Sequence, residues 1–147
     1  ALFDAAREWS VGLHFNKGLA GAPAAEIAAA RDTATNPQVL DAFALAIIAG
    51  ASAPAFPGMP GPELAKAQRD AASISRAMVA LRKAAPHAGA YVSESDYFQH
   101  DWQHSFWGSN YPRLAAVKRK YDPEGLFFVH HGVGSEGWHD DGFARKA

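Results

Sequence analysis

Between Gly50 and Pro62 the sequence sets Pro54, Pro57, Pro60 and Pro62 among Gly50, Gly58 and Gly61. Each proline removes a backbone donor and fixes φ, and each glycine loosens the backbone. Neither a helix nor a sheet ladder runs through such a stretch. The chain of 147 residues is therefore two patterned halves joined by a long loop, which need not be a domain boundary. Its length is that of one ordinary domain, enough to bury a real core.

Hydrophobic periodicity gives the elements on either side. Leu2 to Glu8 reads as the end of a helix. Ser10 to Asn16 alternates Val11, Leu13 and Phe15 with small or polar residues, as a strand does. After the turn Gly18–Pro23, a helix is predicted from Pro23, with Glu26 in its first turn and Arg31 in its last. It must stop near Thr35-Asn36, because Pro37 disfavours helix at the residue before it. Asp41 to Ala49 is read as a strand on the alternation of Phe43, Leu45 and Ile47, although its Ala and Leu also suit a helix. Pro62 to Ala85 is the clearest helix, with a stripe through Leu64, Ala67, Ala71, Ile74, Met78 and Leu81. Ala90 to Ser93 is predicted as a short strand. Asp101 to Lys120 is predicted as one long helix carrying Phe106, Leu114 and Val117 inward. On that continuous helix Asn110 lies four residues from both Phe106 and Leu114, on their side. Asp122-Pro123-Glu124-Gly125 is a turn. Leu126 to Val133 is predicted as a buried extended segment. The fold class is thus α+β, with antiparallel strands and covering helices.

Composition excludes several functions. A net charge of −1 offers no polyanion-binding surface, so nucleic acid is not an expected partner. No apolar run reaches the ~18 residues a membrane helix needs, so no membrane is expected either. Without cysteine there is no disulfide and no thiolate metal site. The chain opens Ala1-Leu2-Phe3-Asp4, without Met or a basic-then-apolar leader, and reads as a piece of something longer with no targeting segment. Among the seven histidines, His100 and His104 are four apart, but adjacent His130 and His131 on an extended chain would point to opposite sides. No HExxH occurs, and no metal is expected. No nucleophile elbow occurs, which disfavours a hydrolase.

The block from Tyr91 to Trp138 carries the most information. It reads Tyr91-Val92-Ser93-Glu94-Ser95-Asp96, then Asp101-Trp102-Gln103, then Phe106-Trp107-Gly108-Ser109-Asn110-Tyr111-Pro112-Arg113-Leu114. It continues through Lys118 to Asp122-Pro123, then Leu126-Phe127-Phe128 and Gly132-Val133-Gly134. This ordered set resembles the C-terminal region of the berberine-bridge-enzyme-like flavin oxidases, within the vanillyl-alcohol-oxidase group. It covers about the last third of the chain, and no single piece of it would be specific.

The resemblance implies a two-domain enzyme that oxidises a small-molecule substrate at a C–OH or C–N group by hydride transfer to FAD, with dioxygen reoxidising the flavin. An N-terminal FAD-binding domain or chain would hold most of the cofactor, since no Gly-rich phosphate loop is visible here. Residues 1–90 would be part of the substrate domain around the loop at 50–62. Residues 91–147 would be the C-terminal segment that returns to the flavin. This chain alone would be inactive.

The same resemblance assigns roles. Glu94 occupies the position of a catalytic base that is Tyr in the sugar-oxidising members. A carboxylate facing a flavin would be partly desolvated and better able to accept a proton; as an exposed strand-end residue it would do nothing. Asn110 matches an Asn beside the flavin, where its amide could read ring carbonyls and nitrogens; alternatively it bonds backbone. Gly108 would let backbone approach a flat ring. Trp107 and Tyr111 would lie near the ring, or belong to the core. Apart from the resemblance, His14, Asn16 and Lys17 form a polar cluster at a strand end beside a glycine loop, which makes Asn16 and Lys17, with Tyr91, candidates for the substrate pocket, or they are simply surface residues. A rival reading is a non-catalytic α+β binding module or remnant that holds no flavin.

Overall fold

The computed structural model describes residues 1–16 and 18–146. The fold is α+β, with five α-helices and one two-stranded antiparallel sheet among the described residues. The chain forms two compact units, each assembled from two segments. The first takes residues 1–16 and Phe43–Ala88, the second Gly18–Ala42 and residues 89–146.

In the first unit, helix α1 (Leu2–Glu8) has the bounds its pattern predicts and packs on the longest helix, α3 (Leu64–Ala84). Ala5 and Ala77 are the fully buried residues of the two helices, and small side chains let helix axes come close. Glu8 and Arg76 pair at 2.7 Å. The Trp9 indole donates to the Ala49 carbonyl at 2.9 Å. The strands are β1 (Gly12–Phe15) and β2 (Ala44–Ile47), paired Gly12↔Ile47 to Phe15↔Ala44. Both are shorter than predicted. Residues 37–40 are wound into a 3-10 turn, so β2 starts late, and the ladder ends where Asn16 N–H meets the Phe43 carbonyl. The loop from Gly50 to Pro62 carries no regular element, as its prolines require.

The second unit contains α2 (Ala24–Arg31), the 3-10 turn Pro37–Leu40, α4 (Trp102–Trp107) and α5 (Tyr111–Tyr121). Trp102, Phe106 and Ala115 form its core with the buried polar residues Asn36 and Ser105. Burying a ring such as that of Phe106 stabilises by roughly 1.5–3 kcal/mol.

Three sequence expectations fail here. The single helix over Asp101–Lys120 is broken at Gly108, whose φ of 54° and ψ of −137° suit essentially glycine alone. A Cβ at that position would stand 2.7 Å from the Asn36 Oδ1. A 3-10 turn, Gly108–Asn110, separates the helices, and Pro112 lies in the first turn of α5. The shared face of Phe106, Asn110 and Leu114 therefore does not exist, and Val117 is exposed rather than inward.

The strand predicted at Ala90–Ser93 is instead an extended approach to a 3-10 turn, Val92–Glu94. Side chains bend the chain there: Ser95 Oγ donates to the Val92 carbonyl at 3.0 Å, and Asp96 Oδ1 accepts Phe98 N–H at 2.9 Å. Finally, Leu126–Val133 is neither buried nor a strand: Leu126 is 80% exposed and Phe127 75%. Its amides are met by a side chain in place of a ladder. Asp122 accepts Leu126 N–H at 2.8 Å and Phe127 N–H at 3.1 Å, while Lys118 Nζ donates to the Phe127 carbonyl at 2.8 Å and pairs with Asp122. These contacts hold the Asp122 carboxyl below its ordinary range, the Lys118 hydrogen bond being the largest cause.

Candidate functional site

The motif block falls within the second unit, and its residues divide into those that build it and those left open. Asn36 is the central builder, and the sequence reading passed over it. Its Nδ2 donates to the Ser105 carbonyl at 2.8 Å and reaches the His104 carbonyl at 3.4 Å, capping the end of α4. Its Oδ1 accepts Gln38 N–H at 3.1 Å. An Asn directly before Pro37 is a turn signal that could have pointed to this role.

Asn110 holds the neighbouring stretch. Its Nδ2 donates to the Thr33 carbonyl at 3.0 Å and the Thr35 carbonyl at 2.8 Å. An amide nitrogen carries two hydrogens, so both donors are engaged. Oδ1 is without a partner among the described residues. Arg113 fastens the same loop through Asp32 at 2.5 Å, which raises the guanidinium's affinity for its proton.

Tyr111 lies with its ring edge-on to Trp102, centroids 5.6 Å apart. Its hydroxyl donates to Glu136 at 2.6 Å and accepts Gly134 N–H at 3.2 Å. Burial, and then the hydrogen bond to Glu136, push its pKa up to about 12. Trp107 is half-buried, and its indole N–H has no acceptor among the described residues.

Tyr91 precedes the 3-10 turn and Glu94 is its last residue, with Glu94 N–H donating to the Tyr91 carbonyl at 3.1 Å. Both side chains are exposed, and the Glu94 carboxylate has no partner among the described residues. Asn16 is exposed at the end of β1 in the first unit. Lys17 lies outside the described residues. A cleft of about 420 Å³ in the second unit is lined by Lys118, Arg119, Glu136, Trp138 and Arg145, among others, but by neither Glu94 nor Asn110.

The adjacent histidines do not point to opposite sides. His131 has φ +58°, which turns the chain so that its ring meets that of His130 at 3.9 Å. Among the described residues no group of three or more His, Asp or Glu is placed to hold a metal ion. No helix among them is long and apolar enough to cross a membrane.

Residues 90–134 match the berberine and berberine-like family model, and this stretch covers most of the block whose motifs carry the resemblance. Its relatives include an FAD-linked oxidoreductase of Arthroderma benhamiae, 50% identical over 60 residues, which is 41% of this chain and 10% of that protein. The FAD-linked oxidoreductase notD' of Aspergillus versicolor is 51% identical over 61 residues, 42% of this chain and 10% of that protein. The VAO-type flavoprotein oxidase VAO615 of Thermothelomyces thermophilus is 41% identical over 83 residues, 56% and 14% of the two chains. The chain thus spans about a tenth of the length of the curated relatives it matches. No solved structure matches it significantly.

Proposed function

We propose that this chain is the C-terminal part of an FAD-dependent oxidase that oxidises a small molecule at a C–OH or C–N group, with dioxygen as the final acceptor. The observation that carries the reading is where the family match falls. It covers the part of the second unit that buries Trp102 and Phe106 while leaving Tyr91 and Glu94 open.

Residues 91–147 are assigned to the segment that returns to the flavin and residues 1–90 to part of the substrate domain. The FAD-binding domain or chain holds the rest of the cofactor. The residues present fit the flavin ring in two respects. Asn110 keeps an acceptor oxygen after spending both donors on the Thr33–Thr35 stretch, so it would receive a ring N–H rather than read a ring carbonyl. Trp107 keeps a buried indole N–H in need of an acceptor. Gly108 follows Trp107 and Tyr111 follows Asn110 in sequence, and Tyr111 is fixed by Glu136.

When bound, the flavin supplies the hydride acceptor. Glu94, with an unpartnered carboxylate, takes the substrate proton. Tyr91 is the candidate for substrate contact in the second unit, and Asn16 is the candidate in the first.

The test compares the 147-residue chain with the same chain supplied with its FAD-binding domain. The chain alone should neither retain FAD nor produce peroxide, and the completed protein should hold flavin whose colour bleaches with substrate. Peroxide production by the chain alone overturns its assignment as a part. A completed protein without flavin overturns the oxidase reading.

A further inference from the structure

Residues 97 to 131 build a stack of rings that the proposed chemistry does not use. Tyr97 lies on His130 with centroids 4.0 Å apart and planes 11° off parallel. His130 meets His131 at 3.9 Å. His131 lies on Trp102 at 5.4 Å and 14°, with Phe106 at 6.2 Å. The His130 Nε2 is 3.0 Å from the Tyr97 carbonyl, which only accepts, so Nε2 carries the hydrogen. His131 is the one non-glycine with positive φ among the described residues, a conformation unfavourable for an L side chain. In that conformation its ring contacts those of His130, Trp102 and Phe106.

Through these two residues, the exposed segment with Leu126, Phe127 and Val129 is pinned to α4 and to the turn after Asp96. We propose that His130 and His131 form a proton-operated clasp, closed while at most one imidazole is charged and opened when both are.

A single proton is tolerable, because a ring cation over an aromatic face is attracted to it. Two cations in rings 3.9 Å apart repel at close quarters. The groups facing His131 are few. From α4 come Trp102 and Phe106, neither of which takes a proton. From the turn come Tyr97 and Asp96, and from the C-terminal stretch Asp140. The two carboxylates favour the charged ring. Burial and the His130 ring oppose them and prevail, so His131 holds a proton less readily than an ordinary histidine.

The sign follows. A base whose folded pKa is depressed loses no stability above its unfolded value of 6.5, and loses it progressively as pH falls below that.

Hydrogen exchange of the intact chain tests the clasp, with amides of 127–134 followed from about pH 7.5 to about pH 5 and α3 as internal reference. After correction for intrinsic rates, protection there should fall about tenfold or more relative to α3. His130→Phe keeps a ring on Tyr97 but removes one charge, and should stay closed at the acid end. His131→Asn tolerates left-handed backbone but removes the stack, and should be open throughout. Wild-type protection that ignores pH, or a His130→Phe variant that opens like wild type, overturns the proposal. If His130→Phe fails to fold, carbon-13 histidine NMR of the wild type decides. Opening that tracks the second of two coupled ring titrations supports the clasp, and independent titrations without opening overturn it.

Discussion

Asn36 donates to the Ser105 carbonyl at 2.8 Å across 69 positions of sequence, with its side chain buried. The bond joins the turn that ends the first segment of the second unit to the helix that begins its core. Asn36→Ala leaves the Ser105 and His104 carbonyls short of a donor and Gln38 N–H without its acceptor. A loss of about 1–3 kcal/mol is expected, read by denaturant unfolding. Asn36→Asp should be worse than a mere isostere, because it places a carboxylate against the two carbonyls Nδ2 now serves. Equal stability of wild type and Asn36→Ala would remove Asn36 from this role.

Tyr111 sets a limit at high pH. Its pKa, about 12, lies above the ordinary 10, so the folded protein holds this proton more tightly than the unfolded chain. The contribution is whole below pH 10 and is lost as pH rises from 10 through about 12. Alkaline unfolding followed by tyrosinate absorbance should show one phenol ionising together with unfolding. In Tyr111→Phe that coupled step should disappear.

Asp122 sets the opposite limit. Its carboxyl is depressed by Lys118 and by the amides of Phe127 and Leu126, so its stabilisation is present above the ordinary 3.8 and is lost as pH falls through the folded value. Asp122→Asn should lower the thermal midpoint at neutral pH, and the gap to wild type should close in acid. A gap independent of pH would show that the turn rests on hydrogen-bond geometry rather than charge.

Glu94 tests the proposed chemistry. In the protein completed with its FAD-binding domain, Glu94→Gln should slow flavin reduction by roughly 10²–10⁴-fold with little change in substrate affinity. Stopped-flow reduction at near wild-type rate would leave Glu94 as an ordinary surface carboxylate.

The sequence was most legible where one local rule acted alone. α1, α3 and the proline loop followed from periodicity and from proline's missing donor. It misled where a distant partner decided the outcome. Gly108 looked tolerable inside a helix because nothing local announced that Asn36 would press against it. Leu126 and Phe127 looked like core because they are apolar, yet Asp122 had already taken their amides. The adjacent histidines looked divergent because extended backbone was assumed, and His131 is left-handed. For the candidate site, Glu94, Asn110 and Tyr111 fall in one unit, and the sequence did not announce that the two Asn110 donors are engaged by the Thr33–Thr35 stretch.

The discontinuous second unit also matters during synthesis. Asn36 leaves the ribosome 69 residues ahead of Ser105, a delay of roughly 3–14 s at about 5–20 residues per second. Throughout that interval α2 and the Pro37 turn have no Trp102, Phe106 or Ala115 to pack against, while α1, the β1–β2 pair and α3 can complete the first unit. The first unit can therefore mature while residues 18–42, between its two segments, are held in waiting, and chaperone capture should concentrate on those residues.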